Sequence, residues 1–250
     1  MIAAGIPNAL REARWLAESA GEEGALRTLA ARRASGEPLQ YLTGTAGFRY
    51  LELAVGPGVF IPRPETELVV ECAMAHLPEG GIVFDIGTGS GAIALSIAHE
   101  RPDTSIFATE LDPDALKWAE RNRDALGKDA TILRGDLFEG LPEDLRGRVD
   151  VIVSNPPYVA PDEREALPID VRDHEPEVAL FAGGNGLDVI ARLVHEARSW
   201  LRTGGWLVFE IGERQADAAT ALLIEAGYVQ VATHDDLAGK ARYVEACSDG

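Results

Sequence analysis

What most limits the fold of this chain is a regular alternation that begins at Gly81. Short apolar runs at Ile82–Ile86, Ser105–Thr109, Thr131–Leu133, Val149–Ser154 and Trp206–Ile211 read as strands. Helical stretches separate them: Gly91–Glu100, a segment opened by Asp112-Pro113 and stopped at Gly127, and Gln215–Ala226. Leu187, Ile190, Val194, Ala197 and Leu201 recur at helical spacing and predict one further amphipathic face. Strictly alternating β and α elements require a mostly parallel sheet with helices on both faces. Two last strands, near Tyr228–Thr233 and Arg242–Ala246, are joined by only Asp235–Lys240, too short for a crossover, so they pair antiparallel. The expectation is an α/β fold with a seven-stranded, mostly parallel sheet and one reversed strand.

Residues upstream of Gly81 read differently. Two short helices fill the first 36 residues, one starting at Pro7-Asn8 with Leu10, Ala13, Leu16 and Ala17 as its apolar face. The second runs from Glu22-Glu23 to Arg32-Arg33, charges that suit the helix dipole, and stops at Gly36. This piece is too small to fold alone and must dock on the rest of the chain. Phe48, Tyr50, Leu51, Leu53 and Val55 predict a β-hairpin, and Pro64-Glu65 opens a helix to about His76. The predicted organisation is therefore a helical region over 1–36, a linker with hairpin and first helix over 37–76, and the sheet domain over 77–250. Val159–Asn185 lacks periodicity, and loops of that length are often functional.

Three motifs carry chemistry. In Asp85-Ile86-Gly87-Thr88-Gly89-Ser90-Gly91 the glycines let backbone approach a ligand, and the following helix N-terminus offers unpaired N–H groups. Glu110, 19 residues past Gly91, ends the next strand and can accept from both hydroxyls of a ribose. A dinucleotide site wants G-x-G-x-x-G. The G-x-G-x-G present here suits S-adenosylmethionine, which carries no pyrophosphate. Asp136, past the third strand, can accept from an adenine amino group or serve as a turn cap. In Asn155-Pro156-Pro157-Tyr158 the prolines lock a loop that has no N–H to give, leaving carbonyl oxygens outward. The Asn155 side-chain oxygen and the Pro156 carbonyl can hold both hydrogens of one –NH₂ group, with the Tyr158 ring packed against its plane. That chemistry is methyl transfer to an amide or to an adenine amine, achieved by positioning rather than covalent catalysis.

Acidic residues outnumber basic ones 41 to 23, a net charge of -18, which argues against a nucleic-acid substrate, since that needs a basic face. Cys72 and Cys247 form no close pair, and Asp173-His174-Glu175 makes a poor ligand set, because adjacent side chains diverge, so no metal site is expected. No apolar run is long enough to span a membrane and no signal peptide is evident, so a cytoplasmic location is expected.

Together with Glu37–Gly44, Pro57–Glu67, His174-Glu175-Pro176 with Ala179-Leu180, and Asp236–Gly239, the two main motifs resemble the HemK/PrmC group, the peptide chain release factor glutamine methyltransferases. The similarity runs from about residue 37 to the end. It implies a class I methyltransferase (Rossmann-like) fold and transfer from S-adenosylmethionine to the side-chain amide nitrogen (N5) of the glutamine in the Gly-Gly-Gln motif of class 1 release factors. The cofactor is then expected on Gly87, Thr88, Gly89, Ser90, Gly91, Glu110, Asp136, Leu137 and Asn155. Asn155, Pro156, Pro157 and Tyr158 are expected to hold the glutamine. The sequence departs from the family in two places: the helical region over 1–36 is abbreviated, and Leu137 stands where family members can carry an aromatic residue. Another protein glutamine, or adenine in nucleic acid, stays open as the acceptor.

Overall fold

A computed structural model of the chain describes Met1, Gly5, Ile6 and residues 8–249. Pro7, the expected start of the first helix, lies outside the described residues.

Helices α1 (Ala9–Ala20) and α2 (Glu23–Ala34) pack as a pair. The buried stripe of α1 is not the expected one. Leu16 and Ala9 are buried, whereas Leu10 is 73% exposed and Ala17 is also exposed. The helix is turned so that Glu12 reaches Arg33 of α2 at 2.7 Å, and that partner decides which face points inward. Arg32 and Arg33 end α2 by gripping the chain beyond it: Arg32 binds the Glu37 carboxylate and Arg33 the Glu37 carbonyl. The pair docks on a five-residue helix, α3 (Leu39–Thr43), too short to show periodicity in sequence. Tyr41 in α3 donates its hydroxyl to the Val59 carbonyl at 2.5 Å.

Hairpin strands β1 (Thr45–Phe48) and β2 (Leu51–Ala54) turn through Arg49, whose φ is 49°. Tyr50 therefore belongs to the turn and is exposed, while Phe48, Leu51 and Leu53 are buried. Helix α4 (Thr66–Ala75) follows. Its Cys72 donates to Glu245 at 3.1 Å, and His76 just past its end lies 2.5 Å from the same carboxylate oxygen, tying this helix to the far side of the sheet.

The sheet contains β3 (Ile82–Ile86), β4 (Ser105–Glu110), β5 (Thr131–Arg134), β6 (Val149–Ser154), β7 (Leu201–Glu210), β8 (Tyr228–Asp235) and β9 (Ala241–Ser248). Their order is β5-β4-β3-β6-β7-β9-β8, and β9 alone runs opposite to the other six. Strand β7 starts five residues before the expected Trp206. Leu201, placed on a helix face by its spacing, pairs instead with Val149 across a register shift. Trp200, buried between helix and strand, stacks on Phe138.

Side chains alternate across the sheet. Val83, Ile106, Ala108, Val151, Val153 and Val208 meet α4, α5 (Ala92–Glu100) and α6 (Pro113–Leu126) on one face. Phe84, Ile86, Ile152, Leu207 and Phe209 face the other side. Between β6 and that second helical layer the chain makes two one-turn helices, α7 (Ile169–Arg172) and α8 (Glu177–Leu180), and a kinked glycine-rich turn, α9 (Gly183–Gly186). Then come α10 (Asp188–Ala197) and, after β7, α11 (Ala216–Glu225), which cover the second face. Asp112 caps α6 as its sequence predicts, accepting from the Asp114 and Ala115 amides. Among the described residues no helix is long and apolar enough to cross a membrane.

Asn122 of α6 joins three elements. Its oxygen accepts from the Ala54 amide at 2.8 Å, and its nitrogen donates to the carbonyls of Ala54 (3.0 Å) and Ser90 (2.9 Å). It is buried, so an apolar replacement leaves backbone groups of β2 and of the glycine loop unpaired. Asn122→Ala is expected to cost about 1–3 kcal/mol. Urea unfolding should show a lower midpoint at unchanged slope, and an unchanged midpoint would refute the bracing role.

Candidate functional site

Parallel register brings the chemistry-bearing residues to one rim. Leu133, Thr109, Ile86, Ser154 and Phe209 are successive partners across β5, β4, β3, β6 and β7. One residue further along each strand stand Arg134, Glu110, Gly87, Asn155 and Glu210. They lie at the carboxyl ends of the strands, where open α/β sheets bind ligands.

The glycine loop is held from below. Asp85 is fully buried, and its Oδ2 accepts from the Thr88 hydroxyl (2.6 Å) and the Ala94 amide (3.0 Å), pinning both sides of the turn. Gly87 and Gly89 have φ of 74° and 58°, and a Cβ on either would meet nothing within 4 Å, so backbone conformation and not crowding requires glycine there. Gly91 has a φ of 86° too, and a Cβ there would also lie 2.8 Å from the Leu95 side chain at the start of α5. Glu110 caps the loop from β4: Oε2 accepts from the Gly89 amide at 2.7 Å and Oε1 from the Asp112 amide at 2.9 Å. Burial pushes its carboxyl up, opposed by those amide hydrogen bonds. Each oxygen keeps one lone pair, which suits a ribose diol.

Past β5, Asp136 accepts from Arg192 of α10 at 3.0 Å. Leu137 adopts a left-handed backbone, φ 50°, which the Thr109 hydroxyl stabilises by donating to its carbonyl at 2.6 Å.

Asn155 sits where β6 ends. Its Nδ2 donates to Thr66 Oγ1 at 3.3 Å, and the Thr66 hydroxyl donates to Glu210 Oε2 at 2.6 Å. The Tyr158 hydroxyl donates to the other oxygen of Glu210 at 3.0 Å. Gln215 accepts from the Gly212 amide and donates to the Tyr158 carbonyl, both at 2.9 Å, fixing the far end of the loop. No described residue donates to Asn155 Oδ1 or to the Pro156 carbonyl. Behind the loop Arg63 pairs with buried Glu175 and lies over the Phe60 ring at 4.7 Å. Asp173 pairs with Arg172 instead, so Asp173-His174-Glu175 diverges as its adjacency predicts.

These residues enclose one cavity of about 400 Å³, within the range of small-molecule sites. Gly87, Thr88, Gly89, Ser90, Glu110, Asp136, Leu137, Asn155, Pro156, Pro157 and Tyr158 all line it; Gly91 does not. Lining residues absent from the sequence-derived set include Arg63, Thr66 and Arg192, and Glu210 stands directly behind Thr66. Thr66 and Arg63 lie inside the Pro57–Glu67 stretch, so position in a motif was their only signal. Glu210 carries the same signal as Glu110, a carboxylate ending an apolar strand.

Comparison with known proteins places the fold and the family. The model of the "methyltransferase small domain" family matches residues 53–169. A release factor glutamine methyltransferase from Streptomyces coelicolor is 46% identical over 221 residues, spanning 86% of this chain and 78% of that protein. One from Geobacter sulfurreducens is 38% identical over 258 residues, spanning 96% and 90%. Among solved structures, a methyltransferase from Pyrococcus furiosus superposes with a TM-score of 0.61 at 20% identity, covering 88% of this chain and 97% of that one. A 16S rRNA methyltransferase of T. thermophilus, in complex with AdoMet and guanosine, superposes at 0.59 with 23% identity, covering 82% and 49%. The fold is that of the class I methyltransferases.

Burial pushes the Asp85 carboxyl up to about 7, opposed by its bonds from Thr88 and Ala94. In the unfolded chain it titrates at about 3.9. Between those values the folded state holds a proton that the unfolded state releases, so this group's contribution to stability declines as pH rises through the window and levels off above it. Asp85→Asn removes the titration. The difference in Tm, wild type minus variant, should fall as pH is raised across that window and stay flat beyond it; a pH-independent difference would contradict the assignment.

Proposed function

The chain belongs to the release factor glutamine methyltransferases, and from that premise we propose how its own residues perform the transfer. The reaction is methylation of the side-chain amide nitrogen (N5) of the glutamine in the Gly-Gly-Gln motif of class 1 release factors, with S-adenosylmethionine as donor. One observation carries the reading. Asn155 Oδ1 and the Pro156 carbonyl, two acceptors without a donor from any described residue, line the same cavity as the glycine loop and Glu110.

S-adenosylmethionine supplies an electrophilic methyl group carried on a sulfonium. Gly87, Thr88, Gly89, Ser90 and the first turn of α5 would receive its amino-acid end, with Gly91 shaping the loop beneath. Glu110 would take the ribose hydroxyls, Asp136 the adenine amine and Leu137 the adenine face.

A glutamine amide nitrogen is a weak nucleophile because its lone pair is delocalised. Asn155 Oδ1 and the Pro156 carbonyl each accept one of its two hydrogens, which turns the face of the nitrogen toward the methyl group. The Tyr158 ring packs against the amide plane, and Pro157 keeps the loop stiff. Positive charge growing on the nitrogen strengthens both hydrogen bonds, so they favour the transition state over the ground state. The net charge of -18 supports a protein acceptor over a nucleic acid. The helical region over 1–36 would help grip that protein.

Glu110→Ala is expected to weaken S-adenosylmethionine binding by about 1.5–3 kcal/mol; calorimetry showing unchanged affinity would remove Glu110 from the site. Asn155→Ala should slow single-turnover methylation of a Gly-Gly-Gln-containing release factor on the order of 100- to 1,000-fold while sparing most cofactor affinity. Turnover within a few-fold of wild type would sink the role given to Asn155.

A further inference from the structure

We propose that Thr66 and Glu210 are positioning residues that fix which end of the Asn155 amide faces the cavity. The proposal rests on the function proposed for this site, in which Asn155 accepts from the substrate amide. An asparagine side chain has two ends of nearly equal size, one an acceptor and the other a donor. Turned the wrong way, Asn155 would present N–H to the N–H of the glutamine and repel it. The Asn-Pro-Pro-Tyr loop itself does nothing to prevent this, since no donor within it meets Asn155 Oδ1.

The orientation is set one and two bonds away. An ionised carboxylate can only accept, and both oxygens of buried Glu210 are met by hydroxyls, Thr66 at 2.6 Å and Tyr158 at 3.0 Å. The Thr66 hydroxyl has a single proton, and it is committed to Glu210. Toward Asn155 it can therefore only accept, which selects the donor end, Nδ2, at 3.3 Å. The opposite end, Oδ1, is left for the substrate. Hydrogen-bond direction thus runs one way, from Asn155 through Thr66 to Glu210. The same carboxylate pins Tyr158, so one buried charge fixes both side chains that meet the substrate amide.

The groups facing Glu210 are the hydroxyls of Thr66 and Tyr158, Arg242 from β9 and Glu65 from the start of α4, with Arg63 acting on Tyr158. Burial pushes the Glu210 carboxyl up, opposed by both hydroxyl hydrogen bonds and by Arg242. Protonation would turn an acceptor into a donor and allow the chain of bonds to reverse. In the wild type kcat should therefore fall as pH drops through this raised range, because the competent direction needs the ionised form.

The test compares the wild-type chain with Thr66→Val, Thr66→Ser and Glu210→Gln. Glutamine methylation of a release factor is followed by mass spectrometry, S-adenosylmethionine affinity by calorimetry and folding by Tm. Glu210→Gln keeps the shape but places a donor where only acceptors stood. Thr66→Val and Glu210→Gln should each lower kcat about 10- to 100-fold, the range seen when groups that orient a ligating side chain are removed. Cofactor affinity should stay within a few-fold. Thr66→Ser, which retains the hydroxyl, should recover most of the rate, and Glu210→Gln should lack the acid limb of the wild-type profile. A folded Thr66→Val turning over within a few-fold of wild type, a Thr66→Ser as slow as Thr66→Val, or an acid limb surviving in Glu210→Gln would each overturn the proposal. Should the variants fail to fold, wild-type NMR still decides it. The Asn155 side-chain amide protons should exchange slowly, and free exchange would refute the bond to Thr66. A wild-type chain that leaves the glutamine unmethylated would instead overturn the substrate reading on which the proposal stands.

Discussion

The register of the parallel strands is the constraint on which everything else in this molecule depends. Because β5, β4, β3, β6 and β7 end at the same level, Arg134, Glu110, Gly87, Asn155 and Glu210 form one row. A slip of one residue would turn every side chain of a strand to the opposite face. Such a slip is blocked by the two apolar layers. Val83 must meet one helical layer while Phe84 and Ile86 meet the other. Core packing thus does the aligning, and the rim inherits positions accurate enough for chemistry without spending any residue of its own on alignment.

Carboxylates at and beneath that rim are the second recurring theme. Asp85, Glu110, Glu175 and Glu210 are all buried. Burying a charge is costly unless it is paired or hydrogen-bonded. Here each acid takes two donors: Thr88 and Ala94 for Asp85, Gly89 and Asp112 for Glu110, Ile61 and Arg63 for Glu175, Thr66 and Tyr158 for Glu210. The acids therefore act as knots between loops that would otherwise move independently. They tie the glycine loop to β4, and the Pro57–Glu67 segment to both the 159–185 loop and the end of β7.

Much of this was legible in the residue order, and the failures have physical causes. Alternation of apolar runs reveals strands and helices because burial on two faces imposes it, and the Asp235–Lys240 connection reveals the reversed strand by length alone. The Asn155–Tyr158 loop stands out because two prolines after a strand serve no regular structure. Tertiary partners defeated the local reading elsewhere. Leu10 has helical spacing with Ala13 and Ala17, but Ala9 and Leu16 are the residues turned inward, with Glu12 reaching Arg33 of α2. Leu201 continues the period of α10 by coincidence, since i+4 from Ala197 also falls on the first residue of β7. Thr66 and Glu210 are 144 residues apart, and nothing local to either announces the other.

The placement of β9 has a consequence for how the molecule comes into being. Although last in sequence among the described strands, it lies between β7 and β8 rather than at an edge. During synthesis β8 therefore emerges with no neighbour to pair with, and β7 carries an open edge beside Glu210 until residues 241–248 arrive. Until then the edge of β7 stays unsatisfied. The hairpin of β8 and β9 completes the sheet by docking β9 on the edge of β7, which also delivers Glu245 to Cys72 and His76 and brings Arg242 beside Glu210. Loss of a few residues from this strand would thus act as a folding defect and remove the site as a whole, however far those residues lie from the methyl group.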